Sequence, residues 1–404
     1  MSKLDDLINE LCPNGVEYKK ISEVCEISRG IVMSKDFIRD NAGNYPVYSS
    51  QTENDGCLGY INTYKYDGEY LTWTTDGANA GTVFYRNGKF SVTNVCGLLK
   101  VININLITKF LFYALNIEAP KHVNRGMGNA KLMSNVMDSI SIPVPPLAVQ
   151  CEIVRILDNF TELTAELTAE LTARKKQYEY YRDSLLTFKT EIPRVKLGDI
   201  ATEIYRGSGI KKDEVTLDGI PCVRYGEIYT KYNIWFDSCV SHTKLEYVYS
   251  PKYFEYGDIL FAITGESVED IAKSIAYVGK EKCLAGGDIV VMKHKQNPKY
   301  LSYALSTVDA IKQKGKGKVK SKVVHSSVPA IQDIEIPLPP LEIQERIVNV
   351  LDNFDAICSD LKIGLPAEID ARKKQYEYYR DLLLRFEPLG TNIATHTHTH
   401  TRGN

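Results

Sequence analysis

The chain has 404 residues, 44% hydrophobic and 25% charged, with a formal net charge of −2. That length suits two to four domains with sizeable cores, and the near-neutral balance excludes a bulk polycation, so any nucleic-acid contact must rest on local positive charge. No apolar run reaches the roughly 18 residues of a membrane helix, and nine scattered cysteines without a CxxC pair fit reduced cytoplasmic thiols better than disulfides or zinc.

The chain opens with MSKLDDLINEL, an acidic amphipathic segment unlike a signal peptide. Asp6–Leu11 followed by Val16–Ile21 resembles Asp183–Phe188 followed by Ile192–Leu197. Residues 1–15 therefore read as the tail of a scaffold helix, packing near the C-terminal end of a second long helix.

Residues 16–141 form a first variable block. Short β-rich runs such as Thr82–Tyr85 and Cys96–Ile104 alternate with Gly, Asn and Asp turns. Two polar loops supply Gln51, Asn54, Thr75 and Asn79 as candidate DNA contacts. A third, around Gly126 and Gly128, supplies Lys121, Asn124, Arg125, Asn129 and Lys131. Arg, Asn and Gln bridge base edges bidentately, and Lys and Arg neutralise phosphates.

Residues 142–190 form a fixed block. Pro145-Pro146 reads as a helix entry. Ile153, Leu157, Phe160, Leu163, Leu167, Leu171, Tyr178, Tyr181 and Leu185 then recur mostly at three- and four-residue steps. This is one apolar stripe on a helix from Leu147 to Leu186, about 60 Å long at ~1.5 Å per residue. Such a helix needs a partner. The segment holds two Thr-Ala-Glu-Leu tetrads, 164–167 and 168–171, each close to one helical turn.

Residues 191–335 form the second variable block, which shares only faint marks with the first: Phe112–Leu115 against Ser302–Leu305, and Gly126-Met127-Gly128 against Gly315-Lys316-Gly317. Candidate contacts here are Arg206, Lys211, Lys212, Arg224 and Thr264. Lys312, Lys314, Lys316, Lys318, Lys320 and Lys322 stand at every second position without an acid between them. They read as a flexible phosphate-binding loop.

Residues 336–390 repeat the fixed block. Residues 173–188 and 371–386 agree at 14 of 16 positions, and residues 142–160 and 336–354 at 12 of 19. Two copies related by a pseudo-two-fold axis would place the long helices antiparallel. The link from Phe354 to Ala371 holds 16 residues against 12 in the first copy, and its Gly364 and Pro366 predict a kink or break. Tyr178, Tyr181 and Arg182, with their copies Tyr376, Tyr379 and Arg380, are candidates for holding a partner protein, since tyrosine and arginine are enriched at interfaces. In residues 391–404, His396, His398 and His400 alternate with threonines, and the segment reads as a disordered tail, not a metal site. There is no GxxxxGK[ST] phosphate loop and no catalytic constellation.

The paired IP[VL]PPL…QxxIVxxLDNF and ARKKQYEYYRD blocks, the two variable blocks and the tetrads make the chain resemble a specificity subunit of a type I restriction-modification system, most like the IC subfamily. The resemblance covers nearly the whole length. It implies an α/β protein in which two mixed α/β target recognition domains are joined by a coiled-coil-like pair of long antiparallel helices, in a circular repeat. It implies a non-catalytic subunit that reads a bipartite asymmetric DNA site and docks two modification subunits plus restriction subunits. S-adenosylmethionine, ATP and Mg would belong to those partners, and no cofactor to this chain. The competing expectations are a self-contained DNA-modifying enzyme with unfamiliar motifs and a purely structural scaffold.

Overall fold

A computed structural model of the chain describes residues 3–126, 128–188, 192–268, 270–315, 318–320, 323–359 and 363–390. Two compact units appear. One combines the described residues up to Leu167 with those from Ile369 onward, and the other spans Thr168–Glu368. Both are mixed α/β.

The first unit is built on a six-stranded sheet. Its order is Cys25–Arg29, Cys96–Val101, Tyr66–Thr74, Val83–Val92, Ala42–Tyr48, Cys57–Ile61. Neighbours are antiparallel except at Val47–Tyr48, which runs parallel to Ser91–Val92. Helix Thr108–Glu118 lays Phe110, Leu111, Tyr113, Ala114 and Leu115 onto one face. Trp73 is fully buried there, and its indole N–H is satisfied by the Leu132 carbonyl at 3.0 Å, as a buried indole requires.

The second unit follows the same path. Strands Ala201–Arg206, Ile289–His294, Ile259–Ala262 and Ser274–Tyr277 lie in the order of the first four above. Cys222–Val223 runs parallel to Leu284–Ala285, matching the parallel pair of the first unit. One difference divides the sheet. The ten-residue strand Val83–Val92 has become two short strands, Ser274–Tyr277 and Cys283–Ala285, which belong to separate five-stranded sheets.

Each variable block is closed by its own two ends. Glu17–Lys20 pairs antiparallel with Ser141–Val144, and Arg194–Lys196 with Glu335–Pro337. Prolines are tolerated on these two-stranded ribbons because an edge position needs no ladder donor.

Helix Leu147–Leu186 runs 40 residues and begins directly after Pro146. Its first part packs Val149, Ile153 and Leu157 into the core of the first unit. Its last part packs Tyr178 and Leu186 into the core of the second. The tetrad segment between them is mostly solvent-facing, and Leu163 is exposed rather than buried. The stripe therefore fades where the repeat is most regular. The second fixed block is split into helices Leu341–Ser359 and Leu365–Leu383. Pro366 sits in the first turn of the latter, where its missing N–H costs nothing.

Within the second unit the last part of helix Leu147–Leu186 meets helix Leu341–Ser359: Tyr181 stacks on Phe354 with ring centroids 5.6 Å apart, and Tyr178 shares a core cluster with Leu351 and Cys358. Within the first unit Phe160 stacks on Tyr379 at 5.5 Å, the same pair with the two copies exchanged. The first unit also brings the segment around residues 4–18 against residues 386–388. Helix Lys3–Leu11 buries Leu4, Val16 N–H donates to the Glu387 carbonyl at 2.9 Å, and the Tyr18 hydroxyl to the Phe386 carbonyl at 2.8 Å.

Candidate nucleic-acid interface

In the first unit three loops converge. The Thr75 hydroxyl donates to the Val95 carbonyl at 2.7 Å, and Thr75 N–H to the Ser50 hydroxyl at 3.1 Å. Asn79 donates to the Thr52 hydroxyl at 2.7 Å. Gly77 N–H bonds to Ala130 O, and Leu132 N–H to Thr75 O. Asn124 and Lys131 exchange backbone bonds at 2.9 and 3.0 Å, which closes the third loop. The candidates from residues 51 to 131 thus share one loop cluster.

They are not equally available. Arg125, Asn129 and Lys131 are exposed, while Lys121 is exposed and paired with Glu118 at 2.8 Å. Gln51 and Asn54 turn their amides to the Cys57 carbonyl, at 2.6 and 3.4 Å. Thr75 is buried, with its hydroxyl occupied as above, so it holds the loop and does not face a ligand. The loop carrying Asn54 turns through left-handed φ values of 49° and 52° at Asn54 and Asp55. Buried Arg86 pins it, bonding the Asp55 carboxylate at 2.5 Å and carbonyl at 2.7 Å. Arg86 also lies over the Tyr48 ring, 3.6 Å from its centroid. The sequence reading missed Arg86, because an arginine within a strand carries no local signal of what it reaches.

A second feature was legible and missed. Glu26-Ile27-Ser28-Arg29-Gly30 matches Glu203-Ile204-Tyr205-Arg206-Gly207. A Cβ on Gly30 would meet the Val92 carbonyl oxygen at 1.8 Å, and one on Gly207 would meet the Gly286 oxygen at 2.2 Å. Only glycine allows this strand-to-strand approach.

In the second unit a cleft of about 860 Å³ gathers Lys212, Arg224, Tyr225, Glu227 and Gly287. Glu227 is buried and holds Arg224, accepting from its backbone N–H at 2.9 Å and its guanidinium at 3.4 Å. Ser241 bonds the same carboxylate at 2.6 Å. The Arg224 Nε has no partner among the described residues. Arg206 is engaged by Gly287 O at 2.6 Å and Asp288 at 2.5 Å. Lys211 pairs with Glu214 at 3.3 Å, and Lys212 is exposed.

Two expectations about the lysine run change, and one about Thr264. Lys314 is buried, 7% exposed, with its ammonium donating to the Ser274 hydroxyl at 2.9 Å and the Leu305 carbonyl at 2.8 Å. It is part of the core and not a phosphate contact. Thr264 is also buried, and its hydroxyl faces the His325 ring at 3.3 Å. Lys318 and Lys320 belong to a short strand, Lys318–Lys320, paired with Val323–His325, so this part is a β-hairpin. Lys316 and Lys322 lie outside the described residues, as does the tail 391–404.

The tyrosines divide by face. Tyr178 is buried, and its hydroxyl has no partner among the described residues. Tyr376 packs against the core of the first unit. Both face inward, against expectation. Tyr181 and Tyr379 stack on Phe354 and Phe160. Arg182 and Arg380 each lie 5.8 Å from the ring of the tyrosine four residues earlier and pair with the following aspartate. The outward residues are Tyr180 and Tyr378, 69% and 65% exposed.

The sequence model of the family described as "Type I restriction modification DNA specificity domain" matches residues 13–174 and 191–371, one match per half. The chain belongs to this specificity family. A Mycoplasma pneumoniae protein named a type I specificity subunit is 35% identical over 372 residues, covering 91% of this chain and 97% of its own length. The fold is shared with an S subunit from M. genitalium, at a TM-score of 0.52 and 16% identity over 91% of this chain and 95% of that one. It is also shared with a chain from a structure titled for complex assembly and conformational transition of the type I R-M system. That match has a TM-score of 0.61 and 14% identity, covering 92% and 98%. In this specificity chain, no group of three or more His, Cys, Asp or Glu among the described residues could hold a metal. No described helix is long and apolar enough to cross a membrane.

Proposed function

We propose that the chain is the DNA-reading, non-catalytic subunit of a type I restriction-modification complex. Residues 16–141 read one half of an asymmetric bipartite site and residues 191–335 the other. The fixed helical blocks, 142–190 and 336–390, space the two and recruit modification and restriction subunits. Methyl transfer from S-adenosylmethionine and ATP- and Mg-dependent cleavage belong to those partners.

The observation that carries this reading is the duplication itself. Two blocks share a strand path and closing ribbons but present different loops. The first unit gathers Arg125, Asn129 and Lys131, and the second a cleft with Lys212 and Arg224. One fold with two surfaces suits two different base sequences, since bases specify through side chains while phosphate contacts only position. The test replaces residues 16–141 with the first variable block of another family member, followed by methylation mapping in cells carrying the complete system. One half-site should change and the other stay. A change in both halves would sink the modular reading.

A further inference from the structure

Each long-helix block meets the short helix of its own unit through one set of polar bonds, made twice. Gln150 accepts from Ile107 N–H at 2.9 Å and donates to Asn105 O at 2.8 Å and Pro145 O at 2.7 Å. Its copy Gln344 accepts from Asn297 N–H at 3.0 Å and donates to Gln296 at 3.0 Å and Pro339 O at 2.8 Å. Eight residues further on, Asp158 takes the Lys109 ammonium and the Tyr113 hydroxyl, both at 2.6 Å. Asp352 takes Lys299 and Tyr303, both at 2.7 Å, and Trp235 Nε1–H at 3.2 Å. Two helical turns on the fixed block thus face the lead-in and opening turns of the short helix on the variable block, residues 105–113 and 296–303, in both units.

Both glutamines are fully buried. Apolar contacts alone would hold the helices together but are non-directional and permit sliding. Buried hydrogen bonds have defined geometry, and a shifted register would strand their donors at a cost. Replacing buried polar groups by apolar ones is often neutral or stabilising, so stability alone does not call for them. The variable blocks differ nearly everywhere, yet both keep Lys and Tyr four residues apart at this point.

We propose that Gln150 and Asp158 with Lys109 and Tyr113, and Gln344 and Asp352 with Lys299 and Tyr303, are positioning residues. They fix the angle of each recognition domain on its helix, and that angle sets how many base pairs separate the half-sites. This rests on the bipartite reading above.

The experiment maps methylation in cells carrying the complete system with the full-length chain bearing Asp158→Asn, Tyr113→Phe or Tyr303→Phe. Both half-sites should be unchanged. Methylation at sites with one base pair more or fewer between the halves should rise at least about tenfold, the scale of one lost, partly buried hydrogen bond to a charged carboxylate. Tyr→Phe keeps the ring and decides the matter if Asp158→Asn does not fold. Slower methylation confined to the parental spacing would overturn the proposal and leave the bonds a purely stabilising role. Altered bases within a half-site would overturn it together with the modular reading on which it rests.

Discussion

Lys314 stands in a run of alternating lysines, yet the fold encloses it. Burial first, and then the charge of Lys273, push its pKa down from 10.5 to about 7. A folded pKa below the unfolded value means that the unfolded chain binds more protons between pH 7 and pH 10.5. The destabilisation is full below pH 7 and is relieved as pH rises through that window. One such group changes stability by up to about 1.4 kcal/mol per pH unit. The parent chain should therefore gain roughly 2 kcal/mol over Lys314→Met between pH 7 and 9. Urea unfolding followed by Trp235 fluorescence in a Trp73→Phe background measures it. A difference independent of pH would show that Lys314 is not enclosed.

At the scale of elements, the tetrad segment is a solvent-facing stretch of helix. Its threonines fold back on the helix: Thr164 and Thr172 donate to the carbonyls of Phe160 and Thr168 at 2.8 and 2.9 Å. Of its leucines, Leu163 is exposed and Leu171 packs against the core of the second unit, so little core surface is tied to the length of the segment. Four added residues lengthen a helix by roughly 6 Å and rotate it about 40° past a full turn. One base pair advances DNA by roughly 3.4 Å and turns it by about 34°, at ~10.5 base pairs per turn. Rotation should decide, because a domain turned off its groove loses its base contacts while a small axial mismatch is absorbed by tilt. Inserting another Thr-Ala-Glu-Leu after Leu171 should lengthen the spacer by one base pair and leave both half-sites intact. Methylation mapping of the insertion mutant checks this, and an unchanged spacer would mean the tetrads are no ruler.

At the scale of the whole molecule, the repeated block has an inner and an outer face. Tyr178 and Tyr376 are spent on the cores of their units, whereas Tyr180 and Tyr378 project outward, each beside a second ring 5.5 or 5.4 Å away. Exposed aromatic pairs of this kind suit a protein interface. Substituting Tyr180 and Tyr378 with glutamate should abolish co-purification with the modification subunits without changing the circular dichroism spectrum. Normal assembly of a folded double mutant would remove this face from the docking surface.

The sequence by itself determined the duplication, the 40-residue helix, the interruption near Pro366 and the α/β character of the variable blocks. These follow from local rules: three- and four-residue apolar steps, proline chemistry, and matched segments whose bonds turn out alike, such as Phe160–Tyr379 and Phe354–Tyr181. Burial of individual polar residues was not legible. Thr75, Thr264 and Lys314 have the composition of surface loops, yet all three are buried, and their polar atoms meet groups distant in sequence: Ser50 and Val95, His325, and Ser274. The faces of Tyr178 and Tyr180 differ by two positions on a helix that has apolar residues on both sides, so periodicity could not say which faces the core. Whether a polar group meets water or a carbonyl depends on what packs over it, and that is decided by contacts between residues far apart in the chain.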